Sequence, residues 1–482
     1  MTASKVLGRT AGHRRRPRGW AFRVALPALV LLAAAGCMVF PDGSFTTTDP
    51  VAGEPSVSWN DPDDGLVDAP IELTAAGYVE EEHFIGGPAT AYGPVGPWLP
   101  DGRWQAQPTT SARFLTRILV RRPADPDAFN GVVVVEWLNV TSGRDLDGVF
   151  RPTHTELLDK GYAWVGVSVQ KVGVDDLKRR DPDRYAALNH PGDNYAYDIL
   201  TRAGRIVADP ASPVLGGLHP EVVLAAGASQ SASGLLTYVN AVQPVAGVYD
   251  GFLLVSHLGG GMALSTGAAM PPSPIVRTDG DAAVLDVQLE TDLVVFRTHL
   301  NRQDDNPRFR LWEFAGSSHI GEYGRSLTWP PNPSVPGDPC TVRINSAPAF
   351  ALGKASLAAL AAWTTTGVAP PSAPRLQLAD PSAPDPVARD QYGNALGGIR
   401  YPHVEVPIAR VDGLPNSAAS SDPIQAFICR LSGRTLPFTA AQLAELYPTS
   451  EAYLGRFRAA ANQGFLLRDD VKVLEAAAAG GP

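Results

Sequence analysis

Short apolar runs alternating with helix-spaced segments occupy the middle of the chain. Residues 132–136, 163–169 and 221–226 are largely apolar and 249–256 has an apolar centre at 252–255, as expected of parallel strands covered on both faces. Residues 283–289 and 309–314 read as two further strands. Helical spacing predicts intervening helices over 153–160 and 195–207, and over 232–242, which is small-residue-rich and then apolar. Ahead of these, 77–85 and 114–120 predict early antiparallel strands; after them, 348–365 predicts an alanine-rich helix with its proline in the first turn. Such alternation predicts an α/β fold, a mostly parallel central sheet flanked by helices on both faces. From Pro370 the pattern changes to Pro- and Asp-rich loops with short strands up to Val411, then helices over 439–447 and 450–462. Thr439 and Gln442 fit a capping box there. This C-terminal extension either covers the site or braces the sheet, and its sequence favours neither.

Gly227-Ala228-Ser229-Gln230-Ser231 lies where strand 221–226 gives way to helix. Serine is common in alanine-rich chains, so the five residues mean little without that context. A serine in a tight strand-to-helix turn is a nucleophile elbow, with small flanking residues because the two backbones approach closely. Gly227 meets that need, and Ser231 stands where glycine is commoner. An elbow serine requires a base to take its proton and an acid to orient the base. On sheets of this kind acid and base follow the nucleophile in that order. Strand 283–289 ends in Glu290-Thr291-Asp292, and strand 309–314 runs into a Gly- and Ser-rich turn ending at His319. Both lie past the carboxyl end of a strand, where sites of open parallel sheets gather. Asp292, further into its loop, is the preferred acid. Glu290 is the alternative, since residues two apart on an extended chain point the same way.

Among the nine histidines, His257 also follows a strand and precedes a glycine run, but it comes before the acid. The others fall in the presequence, an early strand, helices, polar connections or the extension, which leaves His319 as the base. The expected oxyanion donors are the amide of Gln230 and one from the loop after strand 132–136. Leu138 is the first choice for that second donor; Asn139, whose side chain can also face substrate, is the alternative. No H-E-x-x-H string or ligand-spaced cluster occurs, so neither metal nor cofactor is expected.

The ends of the chain speak to its location. Residues 13–23 are strongly basic, 24–35 are almost wholly apolar, and Ala34-Ala35-Gly36 precedes Cys37. This reads as a signal peptide over 1–36, too short for a comfortable membrane span. Cys37 stands at the first mature position, where a lipoprotein carries its lipid; ordinary secretion is the alternative. Residues 37–60, rich in Gly, Ser, Thr, Pro and Asp, read as a flexible tether. Two cysteines then remain, Cys340 and Cys429, which in an exported protein predict a disulfide rather than separate thiols. The chain's 482 residues accommodate one large core with elaborations, or two domains. A net charge of −9 argues against nucleic acid as the partner. The oligomeric state stays open.

The chain resembles the α/β-hydrolase superfamily, and within it a branch known as alpha/beta hydrolase domain proteins. The resemblance is carried by strings at 77–82, 119–125, 129–139, 154–157, 161–167, 192–199 and 393–399, together with the elbow, Glu290-Thr291-Asp292 and the turn to His319. It spans about residues 75 to 410 and implies a Ser229, Asp292, His319 triad acting on esters. With it the domains become a hydrolase unit over 61–370 and an extension over 371–482 packed on it. The resulting expectation is an exported serine hydrolase acting on a small-molecule ester, held at the membrane by an N-terminal lipid. Fold does not dictate function, so two alternatives stay open: a peptidase or thioesterase on the same triad, or a catalytically silent surface lipoprotein that binds a ligand or a cell-envelope component.

Overall fold

The computed structural model describes residues 37–39, 46–48, 50–52, 71–265, 267–322, 340–461 and 464–481. The expected signal peptide over 1–36 lies outside the described residues. Among the described residues, ten strands form one sheet. In chain order they are β1 Cys37–Val39, β2 Thr46–Thr48, β3 Tyr78–Pro94, β4 Ala106–Pro123, β5 Val132–Trp137, β6 Ala163–Val167, β7 Val222–Ala228, β8 Gly251–Val255, β9 Ala283–Leu289 and β10 Phe309–Phe314. Their spatial order is β1-β2-β3-β4-β6-β5-β7-β8-β9-β10. From β6 to β10 neighbouring strands pair in parallel, while β4 joins β6 antiparallel.

The parallel strands form where expected because burial on both faces writes a continuous apolar run. All six residues of β5 and all seven of β9 are buried. By contrast β4 starts eight residues before its predicted beginning at Phe114. Its first half is largely exposed, so no apolar pattern marked it. Part of the predicted tether also joins the sheet: β2 pairs with β3 at Thr46↔Gly86.

Helices cover both faces. Those of six or more residues are, in chain order, α1 Phe150–Asp159, α2 Lys171–Arg180, α3 Ala196–Ala208, α4 Gln230–Thr237, α5 Glu290–Val295 and α6 Ala349–Thr366. One core packs α3 and α4 on the sheet through Ile199, Leu200, Leu235 and Leu236. The other packs α1 and α6 through Phe150, Leu157, Leu357 and Leu360. After α4 the predicted single helix loosens into a π-helical stretch, Tyr238–Val242.

The extension contributes α7 Pro423–Leu431, a ribbon of β11 Ala409–Asp412 with β12 Arg434–Pro437, and then α8 Ala440–Leu446, α9 Ser450–Ala461 and α10 Arg468–Ala478. At the start of α8, Thr439 N–H donates to Gln442 Oε1 at 2.9 Å, and Gln442 N–H donates back to Thr439 Oγ1 at 3.3 Å. The extension is joined to the sheet at the end of β10. Ile399 N–H donates to Glu313 O at 2.7 Å, and Ala315 N–H donates to Ile399 O at 3.0 Å. Together these bonds form one parallel bridge, Phe314↔Ile399, at the end of the edge strand β10.

Candidate active site

Ser229 sits between β7 and α4 with φ 60° and ψ −119°, a backbone region costing a non-glycine residue on the order of 1–3 kcal/mol. The neighbours hold it there. Ser229 N–H donates to Val255 O of β8 at 2.8 Å, and Ser233 N–H donates to Ser229 O at 3.1 Å. A Cβ on Gly227 would stand 3.0 Å from both Leu235 Cδ1 and the Ser231 carbonyl carbon. Ser231, the departure from the commoner glycine, is buried, and its hydroxyl takes both backbone groups of Ala228.

The three residues read from the sequence converge. His319 Nε2 lies 2.8 Å from Ser229 Oγ, and His319 Nδ1 lies 2.7 Å from Asp292 Oδ1. An ionised carboxylate only accepts, so Nδ1 carries the proton and Nε2 is left to accept from the serine hydroxyl. Asp292 is fully buried, and its second oxygen accepts Leu289 N–H at 2.7 Å. Phe296 stands edge-on to the imidazole with ring centroids 5.4 Å apart.

The expectation that Glu290 and Asp292 point the same way is corrected. The segment is the helix α5, not extended chain, so residues two apart diverge by about 200°. Asp292 meets His319, while Glu290 accepts the amides of Gly316 and Gly413. Burial pushes the Glu290 carboxyl up, against the pull of Arg389 and of the Gly413 amide.

The second oxyanion donor is corrected as well. The Leu138 amide donates to Val167 O at 3.4 Å and the Asn139 amide to Leu146 O at 2.9 Å. The Asn139 side chain does not face substrate either: Nδ2 donates to Ala228 O at 2.9 Å and Oδ1 accepts Thr141 N–H at 2.8 Å. Among the described residues, no partner takes the amide of Val140, the next residue along. Gln230 is the first residue of α4, where the amide has no intrahelical acceptor. Its side chain donates to Gln170 Oε1 at 2.9 Å, an oxygen that also accepts the Trp137 indole N–H at 3.0 Å.

Other buried ionisable groups surround the strand ends. Glu136, at the end of β5, accepts the amides of Val149 and Phe150 at the start of α1, at 2.7 and 2.9 Å, and the Trp164 indole N–H at 2.9 Å. Burial, with Asp147 adding to it, still pushes its carboxyl up to about 8. His257 lies 3.2 Å from Asp286 through Nε2, and its Nδ1 accepts Gly259 N–H at 3.1 Å. Burial pulls that imidazole down, but Asp286 outweighs it and the net direction is up. The pairing of His257 with Asp286 joins two different strand ends, and nothing in the sequence marked it. Cys340 and Cys429 are bonded, with Cα atoms 5.5 Å apart. Cys37 is described only as part of β1. Among the described residues, no group of three or more His, Cys, Asp or Glu is arranged to hold a metal ion.

The sequence pattern of the family described as alpha/beta hydrolase domain matches residues 46–476. No curated protein matches the chain significantly. Among solved structures, esterase Est22 is similar at 15% identity over 39% of this chain and 46% of its own, with a TM-score of 0.24. XC6422 from Xanthomonas campestris, described as an a/b serine hydrolase without lid, aligns at 14% identity over 50% of this chain and 88% of its own, with a TM-score of 0.27. An alpha-beta serine hydrolase homologue from Coxiella burnetii aligns at 14% identity over 44% and 86%, with a TM-score of 0.29. The chain thus spans less than half the length of Est22. At such scores none of these likenesses bears on the chemistry.

Proposed function

The chain belongs to the alpha/beta hydrolase domain family, and on that premise we propose that it is a serine hydrolase acting on carboxylic esters. One observation carries the reading: a single imidazole within hydrogen-bonding distance of both an elbow serine and a buried carboxylate, at 2.8 and 2.7 Å. In the proposed reaction Ser229 Oγ attacks the ester carbonyl carbon while its proton passes to His319 Nε2. Asp292 holds the ring by Nδ1 and stabilises the imidazolium. The tetrahedral oxyanion faces the Gln230 amide, with the Val140 amide as the second donor. Collapse breaks the bond to the alcohol, which leaves with the proton from His319. Water then attacks the acyl-enzyme, gives a proton to His319, and the acid departs as Ser229 regains its hydrogen.

A fluorophosphonate probe is expected to label the wild type and not Ser229→Ala, and short-chain nitrophenyl esters are expected to be hydrolysed. Unchanged labelling of Ser229→Ala rules out the nucleophile. A folded protein that hydrolyses none of these esters, across several acyl lengths, is instead a binding protein with a silent pocket. Family membership supplies no substrate; a panel of esters, thioesters and peptides separates those classes. Export belongs to the same proposal and is supported by the Cys340–Cys429 bond, since disulfides persist in oxidising compartments. Membrane association lost in Cys37→Ala tests the lipid anchor.

A further inference from the structure

The two loops proposed to carry acid and base are tied to the C-terminal extension, and the ties meet at one carboxylate. Glu290 opens α5 and is fully buried. Its Oε2 accepts Gly316 N–H, in the turn leading to His319, at 2.8 Å. Its Oε1 accepts Gly413 N–H, in the extension, at 3.0 Å and lies 2.9 Å from the Arg389 guanidinium. Arg389 is held from its other side by Asp385 at 2.7 Å. The Glu290 amide donates to Ser317 Oγ at 3.0 Å, and Thr291 Oγ1 donates to Gly413 O at 2.8 Å.

Close packing enforces the same arrangement. A Cβ on Gly413 would stand 2.5 Å from Thr291 N and 2.7 Å from Ser317 O, touching both loops at once. Gly316 has φ +65°, and a Cβ there would run into Val404 of the extension. Asn345 Nδ2 donates to Gly316 O at 3.1 Å and to Asp412 O at 3.0 Å, fastening the turn a second time.

His319 has to meet Ser229 and Asp292 together, although all three come from different strands. A displacement of about 1 Å between such groups costs on the order of a hundredfold in rate. Charge-assisted bonds to a buried carboxylate are short and stiff, and this one joins the acid helix, the base turn and the extension. We propose that Glu290 is a positioning residue: clamped by Arg389 and Gly413, it sets the spacing between the Asp292 helix and the His319 turn, so that the extension takes part in turnover. The inference rests on the serine-hydrolase reading.

The test compares Glu290→Gln and Gly413→Ala with Lys354→Met in the full chain. Lys354 pairs with buried Asp470, joining α6 to α10 away from both loops, so its loss reports stability alone. For each variant kcat and KM on a nitrophenyl ester, the rate of fluorophosphonate labelling and Tm are measured below the lowest Tm. Glu290→Gln and Gly413→Ala are expected to lose about tenfold or more in kcat and labelling rate, with KM within about twofold. Lys354→Met keeps its kcat at a comparable loss of Tm. If the wild type labels and turns over, but both loop variants keep kcat as Lys354→Met does, Glu290 is only a structural tie and this inference alone falls. A wild type that neither labels nor hydrolyses overturns the serine-hydrolase reading, and this inference with it.

Discussion

The hydroxyl of Ser231 accepts the N–H of Ala228 at 3.0 Å and donates to its carbonyl at 2.9 Å. One side chain thereby closes the backbone on the near side of the nucleophile, and the same carbonyl also receives Asn139 Nδ2. A glycine at 231 relieves crowding in elbows of this kind; here the serine fits and adds two bonds. Ser231→Ala is expected to cost about 1 kcal/mol, because the partly buried Ala228 amide and carbonyl each lose a bond. Chemical denaturation measures the loss. No change in the midpoint rules out a holding role for this hydroxyl.

The two carboxylates of α5 differ sharply in what they touch, so their variants are expected to separate. In Asp292→Asn the Leu289 N–H claims the one amide oxygen, so the NH2 faces Nδ1 and selects the wrong tautomer, and kcat is expected to fall by on the order of 10⁴. Glu290→Gln costs far less, since Glu290 has no contact with the imidazole among its bonds. Steady-state kinetics of the two variants check this. Equal losses make the assignment of Asp292 as the acid untenable.

His403 gives acid lability a definite sign. It is half-buried in the extension, 3.2 Å from Ala315 O through Nε2, and desolvation pulls its imidazole down to about 4. The native state therefore favours the neutral ring, while the unfolded chain takes up a proton below about 6.5. Its contribution is fully present above that value and is lost as pH falls toward 4, by roughly 3 kcal/mol in all. His403→Gln keeps a donor without titrating, so the difference in unfolding free energy between wild type and variant should vary across this window. A difference that stays constant from pH 7 to 4 argues that His403 titrates normally.

Glu136 acts in the opposite direction. With its carboxyl pushed up to about 8, the native state holds a proton that the unfolded chain releases near its ordinary value of about 4.3. Stability from this group falls as pH rises from about 4.3 to 8. Glu136→Gln is expected to flatten that part of the stability profile, measured by denaturation at successive pH values. An unchanged slope shows that the three N–H donors keep the carboxylate ionised throughout.

Reduction should matter more for stability than for chemistry. The Cys340–Cys429 bond closes 89 residues of sequence, for which chain-entropy arguments give roughly 4–5 kcal/mol. Cys340→Ser with Cys429→Ser is expected to lower Tm, with kcat preserved below the transition. Thermal scans with and without reductant measure it. A Tm insensitive to reductant in the wild type excludes the contribution.

Sequence alone determined the parallel core, pointed to Ser229 and His319 for the proposed triad, and narrowed its acid to Glu290 or Asp292. Strands such as Val132–Trp137, with all six residues buried, announce themselves by composition, and strand-end placement then narrows the chemistry to a few side chains. Tertiary structure decided the rest. Whether Glu290 or Asp292 meets His319 depends on a helical turn of six residues, too short for hydrophobic periodicity to reveal. Whether Leu138, Asn139 or Val140 offers a free amide depends on Val167 and Leu146, which take the first two. The extension's attachment depends on Gly413 and Ile399 meeting residues more than 80 positions earlier in the chain. Local pattern records which face of a segment is buried; it carries no record of which distant backbone group claims a given hydrogen bond.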